Sequence, residues 1–200
     1  MPTTHLIPQT TLSDQTTDAD LVKLAAAGET RAFERVMRRH NRLLFRTARS
    51  ILKSDTEAED ALQETYLRSW RALKTFRSDA KLSTWLVRIV VNESLGRLRK
   101  RGAQIVPLDA SSELAAHETQ IRTEQNSSTE PEPVAMNADM RRLIESRIDT
   151  LPEVFRTVFV LRAVEELSVE EVAAALDIPE ATVRTRFFRA RSLLREGLSR

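Results

Sequence analysis

Apolar side chains in this chain return every three or four positions from Asp18 onward, and nowhere on every second one. A period near 3.6 belongs to an α-helix with one buried face, whereas a half-buried strand alternates strictly. The chain is therefore read as all-α. The periodicity stops once, between residues 102 and 136, where Ser, Thr, Glu, Pro and Asn displace large apolar side chains and "NSSTEPEPV" marks a linker. With 200 residues in all, the helical stretches on either side can each bury a core. The expected division is a disordered tail at 1–16, a helical domain at 17–101, a flexible acidic linker at 102–136 and a second helical domain at 137–200.

In the first domain "DADLVKLAAAGE" predicts a short helix that stops at Gly28. "TRAFERVMRRHNRLLFRTARSIL" predicts a second. "SDTEAEDALQETYLRSWRAL" predicts a third, with Thr56 and Glu59 in capping-box spacing and a stripe of Ala58, Leu62, Tyr66, Trp70 and Leu73. "LSTWLVRIVVNESLGRLRKR" predicts a fourth, capped by Ser83. Helical order resumes near Asn137, Pro152 suits the first turn of a helix running to Val164, and Ser168 with Glu171 has capping-box register.

Composition excludes several classes. There is no cysteine, and His5, His40 and His117 lack ligand spacing, so no metal site is expected. No nucleophile–base set or phosphate-cradling glycine loop is present, so neither catalytic residues, nor a cofactor, nor a small-molecule substrate is expected. The opening "MPTTHLIPQTTLSDQ" has no basic or apolar signal region, and no apolar run approaches the roughly 18 residues that span a bilayer. A cytoplasmic location follows as the expectation. Net charge is only +2, but residues 68–101 and the last twenty are basic while 103–140 is acidic. Two positive blocks around a negative connector suit two surfaces that meet one polyanion.

"LSVEEVAAALDIPEATVRTRFF" joins a short helix to a longer basic one through a tight turn, the composition of a helix-turn-helix whose second helix enters the major groove. On that second helix Phe187, Ala190 and Leu194 lie within about 40° of Val183 and form the core seam. Phe188 lies about 140° away. Arg184, Thr185, Phe188, Arg189 and Ser192 thus make the outward face, on which arginine can fork onto guanine edges and a ring can pack on thymine methyls.

From "LPEVFRTVFVLRAVEE" through "ARSLLREGL" the sequence closely resembles the promoter −35-binding domain of bacterial extracytoplasmic-function (ECF) sigma factors. "EDALQETYLRSWRALKTFRSDAKLSTWLVRIVVNESLGRLRKR" is similar to their −10-binding domain. The match covers about residues 18–101 and 137–198. The resemblance implies a sigma region 2 bundle, a sigma region 4 helix-turn-helix bundle, and a transcription initiation factor that binds core RNA polymerase. It implies that Asp60, Gln63 and Glu64, in "DALQE", dock on the clamp helices of the largest polymerase subunit, with the flap as a further polymerase contact. It implies that Arg77, Ser78, Asp79, Ala80, Lys81 and Leu82 form the loop that captures unpaired −10 bases, beside Asn92. Trp85 and Phe76 serve there either as core support or as a stacking platform. Arg97, Arg99, Lys100 and Arg101 hold phosphate. Two glycines common in the family are Ser78 and Ala181 here, which stiffens both places.

Promoter DNA and core polymerase are the partners this implies, together with an anti-sigma factor, often membrane-anchored. A connector of about 35 residues has a root-mean-square span of roughly 30–35 Å and a limit near 120 Å. The two promoter elements lie roughly 50–60 Å apart at about 3.4 Å per base pair. The connector reaches when drawn out, and its slack lets the domains close on each other or around an inhibitor. The competing reading is a stand-alone helix-turn-helix regulator, which leaves the "DALQE" face without a role.

Overall fold

The computed structural model describes residues 16–76, 80–105 and 142–198. Its helices are α1 (Asp18–Ala26), α2 (Thr30–Leu52), α3 (Asp55–Ala72), α4 (Leu82–Ile105), α5 (142–149), α6 (Glu153–Phe159), α7 (Val169–Leu176) and α8 (Glu180–Leu198). A 3-10 turn at Leu73–Thr75 follows α3, and a π-turn at Val160–Val164 follows α6. No strand occurs among the described residues.

Helix ends follow local chemistry. Thr17 caps α1 by accepting from the Asp20 amide, and Gly28 at φ +102° takes the left-handed conformation that ends the first turn of chain. The cap of α3 is Ser54, which accepts from the Glu57 amide, and not Thr56, which lies inside the helix. Ser83 is likewise an interior residue, because α4 starts at Leu82 with the Trp85 amide bonded to the Lys81 carbonyl. The capping box of Ser168 and Glu171 is present with both of its hydrogen bonds. The helix expected to run to Val164 instead widens into the π-turn, and Glu166 beyond it has φ 56°. The fourth helix continues four residues past its expected end at Arg101, and the connector from residue 106 to 141 lies outside the described residues.

Helix α2 is the axis of the first bundle. Ala32, Phe33, Val36, Leu44, Ala48 and Ile51 give it a buried stripe, against which α1, α3 and α4 pack. Tyr66 of α3 reaches back to donate to the Met37 carbonyl, and burial pushes its phenol up to about 12. Trp70 stands at the edge of its stripe, partly exposed, with its ring edge-on to Phe33 at 5.0 Å.

The second bundle sits directly on the first. Helix α6 packs on α2 and α7 packs on α4, and Val158, Leu161, Leu167 and Val172 share one buried cluster with Leu44, Ile51, Leu86 and Val87. At about 1.5–3 kcal/mol for each such side chain, this burial is a large part of what a module this small can gather. Arg156 completes the seam. It is 1% exposed, and its guanidinium donates to the carbonyls of Ser50, Ile51 and Leu151. The last carbonyls of a helix have no partner within it and carry its negative dipole end. A cation from α6 therefore caps the C-terminus of α2.

Candidate promoter-binding and polymerase-binding surfaces

Helix α8 presents the face read from its angular spacing. Val183 and Ala190 are fully buried, Phe187 lies stacked on Phe159 at 6.1 Å, and Phe188 beside it is 70% exposed. Arg184, Thr185 and Arg189 are exposed with Phe188, and Ser192 is half-buried at the margin. Arg184 is held by Glu180 one turn back at 2.7 Å, and the Thr185 hydroxyl donates to the Ala181 carbonyl. Arg162 and Arg191 lie over the Phe187 ring at 5.7 and 5.9 Å. Between Val169, Val183, Phe187 and Phe188 a shallow cavity of about 190 Å³ opens, rimmed by Arg162, Arg184 and Arg191. An apolar floor inside a ring of guanidinium groups suits a base edge or methyl group flanked by phosphates.

On α4 the structure divides the residues that were grouped by sequence. Taking Asn92 as zero at about 100° per residue, Lys81, Trp85, Arg88 and Arg99 fall within about 40° of it. Lys81, Arg88, Asn92 and Arg99 are exposed there. Arg88 was missed in the sequence, although its angular position alone would have found it. Arg97 and Arg101 turn to the other side, where Arg97 meets Glu93 at 2.8 Å and Asp60 at 3.8 Å, and Arg101 meets Glu57 at 3.4 Å. These pairs brace α4 against α3, because helical twist points both arginines at carboxylates. Lys100 is exposed between the two sides.

Leu82, expected in the loop, instead begins α4 with its side chain buried. Ala80 is exposed, and Arg77, Ser78 and Asp79 lie outside the described residues. Trp85 and Phe76 form a tilted pair at 5.1 Å, both packed against the core. Lys81 is engaged by the second bundle: its ammonium lies 2.8 Å from Glu171 of α7, which raises the Lys81 pKa and lowers that of Glu171.

On α3, Asp60 and Gln63 are exposed and Glu64 is half-buried. Glu64 takes a hydrogen bond from Arg68 at 2.9 Å, which holds its carboxyl below the ordinary carboxylate range. Arg68 also reaches the buried Glu93 at 2.8 Å, so Glu64, Arg68, Glu93, Arg97 and Asp60 form one chain of opposite charges across α3 and α4. Such a network fixes two carboxylates in register on an open face, where a partner's cations can meet them.

Comparison with known proteins bears on this geometry. Residues 36–104 match the family model for sigma-70 region 2, and residues 141–194 match that for sigma-70 region 4. The ECF RNA polymerase sigma-E factor of Salmonella typhimurium is 32% identical over 92% of this chain and 95% of its own length. That of Haemophilus influenzae is 30% identical over 92% and 96%. Among solved structures, CnrH in complex with the cytosolic domain of CnrY superposes with a TM-score of 0.63, at 28% identity over 90% of this chain and 95% of that one. RpoE of Bartonella quintana, in complex with the anti-sigma factor NepR, shares the fold with a TM-score of 0.62 at 24% identity, over 84% and 96%.

Proposed function

The chain belongs to the ECF sigma factors, and from that premise we propose how its surfaces divide the work of starting transcription. It is a transcription initiation factor that binds core RNA polymerase and recognises promoter DNA. It acts by binding, not by covalent chemistry, and it works in the cytoplasm; no helix among the described residues is long and apolar enough to cross a membrane. The −35 element is read as duplex by Arg184, Thr185, Phe188 and Arg189 of α8, with Ser192 at the margin. The −10 element is captured as single strand by the loop 77–81 and by the α4 face of Arg88, Asn92 and Arg99, on the support of Trp85 and Phe76. Core polymerase docks on Asp60, Gln63 and Glu64. Melting follows from preference: a surface that holds unstacked bases better than paired ones shifts the duplex toward its open form.

The observation that carries this division is the placement of Phe188, an exposed ring among arginines on the recognition helix of a helix-turn-helix, immediately beside a core phenylalanine. Helix α6 packs on α2 and α7 on α4, with Lys81 of the −10 face 2.8 Å from Glu171 of α7, whereas the promoter elements lie roughly 50–60 Å apart. The free factor is therefore closed and must open on polymerase. CnrH is found in complex with the cytosolic domain of CnrY, and an anti-sigma partner of this chain would act by retaining the closed form.

The test is run-off transcription with core polymerase on a random promoter library, with sequencing of the active templates. Selective initiation with two conserved elements is the expected result. A chain that neither joins core polymerase nor confers selectivity on it overturns the reading.

A further inference from the structure

Along α2 six arginines fall in one arc. Taking Arg31 as zero at about 100° per residue, Arg35, Arg38, Arg42, Arg46 and Arg49 all lie between about −20° and +60°. From first to last the ridge is about 27 Å long at 1.5 Å per residue, the rise of about eight base pairs at 3.4 Å per step. The opposite side of the helix is the buried stripe of Phe33, Val36, Leu44 and Ile51, so the ridge faces outward. Neither the −10 face on α4 nor the carboxylate face on α3 includes any of these residues.

The two ends of the ridge differ. Its C-terminal end is covered by carboxylates of the second bundle: Glu165 lies 3.1 Å from Arg46, and Asp149 lies 2.9 Å from Arg49, which also meets Asp55 at 2.6 Å. Toward the other end Arg31, Arg38 and Arg42 are exposed, and the Arg38 side chain is 81% accessible with only a 3.7 Å pairing to Glu34. The ridge thus already seats anions supplied by another part of the chain, and those anions leave when the second bundle moves away.

We propose that the α2 ridge is a second nucleic-acid surface, which takes the sugar-phosphate backbone of promoter DNA once α5 to α7 release Arg46 and Arg49. The occupant follows from charge and spacing. Arginines one turn apart repeat at about 5–6 Å, a row of planar forks that matches successive phosphates and carries no base selection. Glu165 and Asp149 occupy in the closed factor the places that phosphates take in the open one. Closure hides DNA affinity here as well as at Lys81.

This proposal rests on the initiation reading, and the experiment separates the two. Holoenzymes are assembled from core polymerase and full-length wild-type factor, Arg38→Gln/Arg42→Gln, or the control Lys23→Gln on α1. Binding of each to a promoter recovered from the run-off library is measured across a salt series, and core affinity is measured separately. Each phosphate contact contributes about 0.9 to the slope of log K against log salt. The double variant is therefore expected to flatten the slope by about two, with core affinity unchanged and the control like wild type. An unchanged slope overturns the proposal, and so does a loss of core affinity, which would assign the ridge to polymerase. A wild-type holoenzyme that selects no promoter overturns the initiation reading and this inference with it.

Discussion

The guanidinium of Arg156 donates to the backbone carbonyl of Ser50 across the seam between the two bundles, 106 residues away in the chain. The bond joins a buried cation to a helix C-terminus, and among the described residues the partners of that cation are carbonyls, with Asp149 and Glu153 acting on it by charge alone. Burial pulls the Arg156 pKa down, yet arginine starts so high that it stays charged.

Replacement of this latch separates the bundles. Arg156→Met retains apolar bulk and removes the donors, leaving the Ser50 and Ile51 carbonyls buried without partners. An orphaned buried carbonyl costs about 1–3 kcal/mol, and opening of the seam to water relieves it. Small-angle scattering of the free variant should show a larger radius of gyration, and the melting temperature should fall. A variant as compact and as stable as the parent would remove Arg156 from the closed state.

Glu171, 2.8 Å from the Lys81 ammonium, competes there with a DNA phosphate. Glu171→Gln keeps the capping box, since glutamine also accepts from and reaches the cap backbone, and it weakens the ion pair. A pair with one exposed partner contributes little to stability, so the fold survives. Affinity of the free factor for single-stranded −10 DNA, read by fluorescence anisotropy, should rise up to about fivefold. No change would mean that Lys81 plays no part in −10 capture.

The difference between legible and hidden features is one of range. Phe187 and Phe188 were separable in the sequence because helical twist alone sets them about 100° apart, one toward the core seam and one away from it. The Ser168–Glu171 box was legible for a similar reason, as both partners lie within one turn. The cap at Ser54 was misplaced by two residues, since Ser54, Asp55 and Thr56 all suit that position. Arg156, in "VFRTVF", reads as an exposed polar residue between core positions, because its partners are carbonyls of a helix far back in the chain. That the domains could close on each other was legible in the length of the connector, but the residues of the seam were not: periodicity reports which face is buried, and it does not report against what. Arg97 and Arg101 form a middle case, in which the basic run was visible and its division between two sides of α4 required the angle of each residue.

His40 gives the first bundle a dependence on pH. Its ring is buried with Nε2 3.0 Å from Asp18, whose other oxygen is held by Arg39 at 2.6 Å. Burial lowers the His40 pKa below 6.5, and the pull of Asp18 offsets this only in part. A base whose pKa is lower when folded binds fewer protons folded than unfolded, so acid favours the unfolded chain. This contribution is complete above about pH 6.5 and is lost as pH falls through the lower folded value. Thermal midpoints should be level from pH 8 to 6.5 and then decline, and His40→Gln should flatten that decline. An identical profile in the variant would trace the decline to other groups.

The adjacent phenylalanines of α8 permit the sharpest separation of structure from recognition. Phe187 packs on Phe159 beneath Arg162 and Arg191, so Phe187→Ala removes a ring from the core of the second bundle. The expected cost approaches the 3–5 kcal/mol of a core phenylalanine, reduced because this ring is only partly buried. Phe188→Ala removes a ring that is 70% exposed, and surface changes of that kind usually lie within about 0.5 kcal/mol. Its effect belongs instead to −35 duplex binding by holoenzyme, which should weaken by about 1–3 kcal/mol, with the loss concentrated at one or two base positions. Melting curves and a binding series over single-base variants of the −35 element measure the two quantities independently. If Phe188→Ala lowers the melting temperature as far as Phe187→Ala and leaves every −35 variant bound as before, the ring is packing and the recognition face must be redrawn without it.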